Sequence, residues 1–292
     1  MRIDYLQDMD IFAQGGGAQL TDKAHFIKGL QRGYDLLLDM PSARIDVKSK
    51  DPVLISNAVS FPIDLFKEMV VNKRPMIWFF HDYFPICKYR LFYPMRETCK
   101  ECYLKERWLP ILASAKLLIW LSPLHRDSFL WLYPELETIP YHISPSPVDG
   151  STFCDLGLPR VGTLNIEGLH PFKGRKNILQ WAKDNPEEKL TCVGGNPDPN
   201  EALPSNVSVM GGLDYREMNF LMNQFRNFVH LPQSPSPFDR APVEAYLAGC
   251  ELIMNGLVGC TSFPWFTSRE EVREHCMRSP DRFWDAIDKA LK

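Results

Sequence analysis

The chain has 292 residues, 45% hydrophobic and 24% charged, with a formal net charge of −3. That is ordinary globular composition, enough for one large domain or two of roughly 100–150 residues, and it sets up no global field to recruit nucleic acid or an anionic membrane. The opening "MRIDYLQDMD" lacks the layout of a signal peptide, and the runs "MIWFFH" and "LLIWLS" are too short to span a bilayer. Eight scattered cysteines fit reduced thiols in a cytoplasm better than a disulfide framework. A soluble cytoplasmic protein is expected.

In chain order, strands are expected at 34–39, 52–56, 75–81, 116–122 and 137–142, with helices at 22–32, 62–72, 103–114 and 123–132. The strand runs are continuously apolar, which suits parallel strands buried on both faces of an α/β sheet. The proline-marked stretch 141–159 reads as an interdomain linker. A second series follows: strand 160–164, helix 174–184, strands 189–194 and 206–211, helix 214–225, strand 227–231, helix 240–248, strand 250–255, and helices near 268–276 and 280–291. The architecture inferred is two Rossmann-like halves with parallel sheets facing a central cleft.

In the first half, the glycine run 15–17 precedes a helix with Thr21 or Asp22 as its expected N-cap. Glycines let a ligand approach the backbone, and a helix N-terminus favours an anion, although a tight strand-to-helix turn explains the segment equally well. His81 and Asp82 directly follow a buried strand, where a parallel sheet presents ligand-binding loops. Cys99 and Cys102 form CxxC with Cys87 upstream, one ligand short of a zinc site unless His81 joins them. Residues 88–108 interleave basic and aromatic side chains, including Lys105, Arg107 and Trp108, a pattern that fits a solvated loop or contact with an anionic polymer or membrane.

In the second half, Lys173, Arg175 and Lys176 crowd a helix start, where cations oppose the helix dipole. Their presence suggests a diphosphate, with Lys173 and Gly174 as the preferred contact. Glu244, in "SPFDRAPVEAYLAG", is expected in the first turn of a helix beginning near Asp239 or Arg240, where the dipole favours a carboxylate. A carboxylate fixed there can accept hydrogen bonds from the vicinal hydroxyls of a ribose.

The ordered set "GGGAQLTDKAHFIKGLQRGYD", "FFHDYFPIC", "FKGRKNILQWA", "KLTCVGG" and "SPFDRAPVEAYLAGCELIMNGLVG" resembles the retaining glycosyltransferases of family 4, over most of the chain. The resemblance implies a GT-B fold: an acceptor-binding domain over 1–150, a nucleotide-sugar-binding domain over 151–276, and a terminal helix, 277–292, returning to the first. It implies metal-independent transfer from a UDP-sugar, with a GDP-sugar as the alternative donor. By the same resemblance Lys173 neutralises the leaving diphosphate, Glu244 binds the ribose, His81 faces the transferred sugar, and Gly16 and Gly17 lie beneath the phosphates or the sugar. Gly194 and Gly211 lie near the base.

Two positions depart from the family pattern. Its first motif glutamate falls on Ser236, eight residues before Glu244, and its arginine after the first strand of the second domain falls on Thr163. The diphosphate site is then expected to depend on Lys173 with Arg175, or on Arg240. The acceptor stays open among a glycan, a lipid-linked sugar and hydroxymethylated DNA. Alternative readings are a phage-type DNA glycosyltransferase, a non-catalytic GT-B binding module, and a nucleotide-sugar epimerase.

Overall fold

The structure, a computed structural model, describes residues 1–13, 16–87, 104–195 and 202–292. Gly15 and the segment 88–103, with Cys99, Cys102 and most of the basic-aromatic passage, lie outside the described residues. The chain divides into two compact units, Met1–Pro147 with Arg278–Lys292, and Val148–Met277.

The first unit is built on β1 (Arg2–Leu6), β2 (Asp35–Asp39), β3 (Val53–Ser56), β4 (Met76–Phe79), β5 (Leu117–Trp120) and β6 (Tyr141–Ile143). They form one parallel sheet in the order β2-β1-β3-β4-β5-β6. Every residue of β3, β4 and β5 is buried, as their unbroken apolar runs require, whereas β2 at the edge alternates exposed and half-buried up to its buried last residue, Asp39. α1 (Gly17–Gln31), α2 (Ile63–Val71), α3 (Leu104–Leu112) and α4 (Pro123–Leu132) complete the series. Trp108 is buried within an aromatic cluster, 5.9 Å from Trp78 and 5.7 Å from Phe66 between ring centroids, so it serves the core and not a stacking surface.

In this unit the sequence reading misses one strand, and two of its expectations are corrected. The acidic opening is itself a strand: Ile3, Tyr5 and Leu6 are buried, and buried Asp4 is neutralised by the guanidinium of Arg74. α1 starts at Gly17, not near residue 22, because the Gln19 side chain accepts the Gly16 N–H at 2.8 Å and so caps the helix; Thr21 and Asp22 lie inside it. The strand expected at 137–142 is a 3-10 turn, Pro134–Thr138, followed by β6, which takes up the first residues assigned to the linker.

The second unit contains β7 (Thr163–Asn165), β8 (Leu190–Val193), β9 (Val207–Met210), β10 (Asn227–His230) and β11 (Glu251–Met254), parallel in the order β11-β10-β7-β8-β9. Its helices are α5 (Arg175–Asp184), α6 (Met218–Met222), α7 (Arg240–Leu247) and α8 (Arg269–Met277). The helix expected over 214–225 is a 3-10 turn, Tyr215–Glu217, and the short α6, after which the Asn223 side chain binds the backbone of Cys154 and Leu156.

The last helix, α9 (Ser279–Leu291), packs on α1 in the first unit. Gly29 makes this possible: a Cβ there would lie 2.4 Å from the Trp284 ring, whose Nε1 donates to the His25 carbonyl at 2.8 Å. Among the described residues no helix is long and apolar enough to cross a membrane.

In each sheet the chain reverses its direction of travel once. The reversal falls between β1 and β3 in the first sheet and between β7 and β10 in the second. Open parallel sheets bind ligands beyond the carboxyl ends of the strands at such points.

Candidate functional site

The second unit concentrates charge at its reversal point. β10 ends at His230, and the turn after β7 carries Glu167. The two carboxylates flanking the buried imidazole come from different segments: Asp239 Oδ2 lies 2.8 Å from His230 Nε2, and Glu167 Oε2 lies 2.9 Å from Nδ1, a close ionic contact without hydrogen-bond alignment. Burial alone would push the imidazole pKa down, but the charges of Glu167 and Asp239 outweigh it and raise it to about 10. The same pairing, with Lys173, holds Glu167 at about 2 against a burial effect that would raise it. The donor atoms of the three side chains lie within 4.8 Å of one another, close enough for a cation. Each carboxylate, however, takes a different ring nitrogen, and a metal ion can bind only one of them.

Lys173 reaches this cluster through Gly174. That residue adopts φ +89, and a Cβ would lie 2.1 Å from the Leu231 carbonyl, so only glycine lets the turn close against the end of β10. The Lys173 ammonium sits 3.2 Å from Glu167 Oε1, and that charge raises its pKa. Arg175 is buried and donates to the Leu169 carbonyl at 3.1 Å, which fixes the same turn. Of the three cations at this helix start, Arg175 is buried, Lys173 half-buried beside Glu167, and Lys176 exposed.

Glu244 lies on α7, but in its second turn and not its first, so the helix dipole does not account for it. Its side chain is 3% exposed, and a single oxygen, Oε1, takes the Tyr215 hydroxyl at 2.7 Å and Arg240 Nε at 3.2 Å. Arg240 Nη2 lies 3.1 Å from the same Oε1 and donates to the Tyr215 hydroxyl at 3.0 Å. Burial, then the Glu244 charge, keeps the Tyr215 phenol protonated well above its ordinary pKa. Oε2 has no partner among the described residues, so this carboxylate is fixed by one oxygen and open at the other.

The contacts Lys173–Glu167–His230–Asp239 lead to the start of α7, the helix that carries Arg240 and Glu244. Ser236 is buried and fully engaged: Oγ donates to the Leu257 carbonyl and accepts the Gly259 N–H, both at 3.2 Å. Thr163 opens β7, fully buried, with Oγ1 accepting from Asn227 Nδ2 at 3.4 Å. Gly194, at φ +109, lets β8 approach the turn carrying Glu167, where a Cβ would lie 3.1 Å from Gly168 N. Gly211 follows β9 and borders open space.

His81, Gly16 and Gly17 belong to the first unit. His81 Nε2 contacts Ser56 Oγ at 2.8 Å and Asp22 Oδ1 at 3.0 Å, so its acidic partner is Asp22 and not the neighbouring Asp82. Buried Asp22 also receives Tyr5, Gln7, Ser56 and Asn57. Burial would raise its pKa, yet the His81 charge and these hydrogen bonds lower it. His81 Nδ1 is buried without a hydrogen-bond partner. Gly16 and Gly17 are exposed at the start of α1, with no atom within 4 Å of a Cβ at Gly16. Cys87 is a free thiol.

Glu167, His230, Asp239, Asp22 and Tyr215 were not singled out as functional residues in the sequence. The readable signal was position: Glu167 and His230 stand at the carboxyl ends of two strands.

No family model and no curated protein matches the chain. Solved structures do, over nearly the whole length. Sucrose-phosphate synthase from Thermosynechococcus elongatus aligns with TM-score 0.67 and 14% identity, covering 98% of this chain and 90% of that one. HepE of Anabaena, solved with UDP and glucose, aligns at 0.61 and 16%, covering 99% and 92%. AviGT4, a glycosyltransferase of avilamycin A biosynthesis, aligns at 0.60 and 11%, covering 99% and 98%. The fold is that of the GT-B glycosyltransferases.

Proposed function

We propose that this protein is a metal-independent, retaining glycosyltransferase that moves a sugar from a nucleoside diphosphate sugar, a UDP-sugar first, to an acceptor hydroxyl. The observation that carries the reading is Glu244, a buried carboxylate locked by Arg240 and Tyr215 through Oε1 with Oε2 open. Ribose hydroxyls donate to Oε2, and the ammonium of Lys173 exchanges Glu167 for the diphosphate. The UDP and glucose in HepE, and the UDP-2-fluoro glucose in the trehalose-6-phosphate enzyme from E. coli, support a nucleotide-sugar ligand for this fold.

In the reaction, the bond from the anomeric carbon to the diphosphate breaks and a bond to the acceptor oxygen forms on the same face. The acceptor proton leaves with the diphosphate. Lys173 stabilises the charge that develops there, the kind of electrostatic effect that dominates such steps. Turnover of UDP- and GDP-sugars, with the product anomer read by NMR, tests this. Activity should vanish in Lys173→Ala and Glu244→Ala while circular dichroism stays native. An inverted product would refute retention.

A non-catalytic nucleotide-binding module is the second reading. It is favoured by the pairing of Lys173 with Glu167 and by the engaged hydroxyl of Ser236. Nucleotide binding without any transfer or hydrolysis would select it. The DNA-modifying alternative drew on residues 88–108, and no observation among the described residues favours it.

A further inference from the structure

Position 236 poses a problem for the donor sugar. A serine stands there in place of the resembled family's first motif glutamate, and its hydroxyl is spent on the Leu257 carbonyl and the Gly259 N–H. It carries no charge, and its one proton is already donated. Sugar recognition by this chain needs another acceptor.

Three carboxylates stand near the reversal point of the second sheet. Glu244 is assigned to the ribose. Glu167 is occupied at both oxygens, by Lys173 at Oε1 and His230 at Oε2. Asp239 is bound at Oδ2 alone, by His230 Nε2 at 2.8 Å, and Oδ1 has no partner among the described residues.

We propose, building on the glycosyltransferase reading, that Asp239, held by His230, accepts hydroxyls of the donor sugar in place of the missing carboxylate at position 236. The backbone supports a purpose for this residue beyond capping. Asp239 adopts φ +63 and ψ 103, a conformation side chains other than glycine rarely take, and its side chain makes no hydrogen bond to the start of α7. The strained backbone instead turns the carboxylate onto His230. Carboxylates on both sides of the ring keep His230 charged, and the ring holds the Asp239 carboxylate in place through Oδ2, which makes His230 a positioning residue. Asp239 immediately precedes α7, and Glu244 lies in the second turn of that helix. Hydrogen bonds from sugar hydroxyls to an ionised carboxylate are charge-assisted and hence strong.

The distinguishing property is that UDP has no sugar for Asp239 to bind. Isothermal titration of UDP, UDP-glucose, GDP and GDP-mannose is measured on wild type, Asp239→Asn and Asp239→Gly. The glycine variant also relieves the backbone strain. His230→Gln is included as the positioning variant. The expected result is a loss of about tenfold or more in affinity for the sugar conjugate, with the free nucleotide unchanged within about twofold. His230→Gln should show the same selective loss, smaller in size. Unchanged nucleotide binding also certifies that each variant is folded. Equal losses for nucleotide and conjugate, or no loss for either, would overturn the assignment of Asp239 while leaving the glycosyltransferase reading standing. Failure of wild type to bind any of the four ligands would instead remove that reading and this inference with it.

Discussion

Both sheets gather polar side chains where their strand order reverses, yet they use their carboxylates in opposite ways. In the first unit Asp22 is fully buried and receives Tyr5, Gln7, Ser56, Asn57 and His81. An ionised carboxylate offers about four lone-pair sites, so nothing is left for a ligand. In the second unit, Glu244 and Asp239 are each anchored by one oxygen and open at the other. Complete burial and a lowered pKa thus mark a structural anchor at Asp22. The open second oxygen is what marks a binding carboxylate.

The largest effect that separates the two regions should follow loss of Asp22. Asp22→Ala strands four donors and the His81 ring in the interior, and should destabilise the first unit by about 3–5 kcal/mol in urea unfolding. A loss below about 1 kcal/mol would show that the network is not structural.

Next in size is the pH dependence of the second unit. His230 titrates at about 10 when folded and near 6.5 when unfolded, so its contribution is complete below pH 6.5 and disappears as pH rises through about 10. Over that window wild type should lose a few kcal/mol that His230→Asn does not lose. Parallel pH profiles for the two proteins would contradict a charged imidazole.

The smallest effect concerns Tyr215. Tyr215→Phe deletes one of the donors on Glu244 Oε1 while Arg240 remains. Stability should fall by about 1 kcal/mol and nucleotide affinity only a few-fold. A larger loss of affinity would give the phenol a direct part in binding.

What the sequence disclosed follows from how each feature is built. β3, β4 and β5 were legible because burial on both faces writes unbroken apolar runs. β1 was not, since Arg2 and Asp4 interrupt its run, and the buried Asp4 is tolerated only through Arg74, seventy positions away. Lys173 and Glu244 could be picked out through the resemblance. The reason first given for Glu244, a helix dipole, was wrong, because the residue sits one turn too far along α7. The Glu167–His230–Asp239 cluster could not be seen at all: three separate segments meet only once the strand order is known, and Asp239 looked like an ordinary cap.

The most direct test of the central claim is the thermal shift of wild type and Glu244→Ala with UDP and with GDP, each titrated to saturation. A ligand at 100 times its dissociation constant stabilises the folded state by about 2.7 kcal/mol. The account predicts such a shift for one of the two nucleotides and its disappearance in Glu244→Ala. No shift with either nucleotide, or an equal shift in the variant, would contradict it.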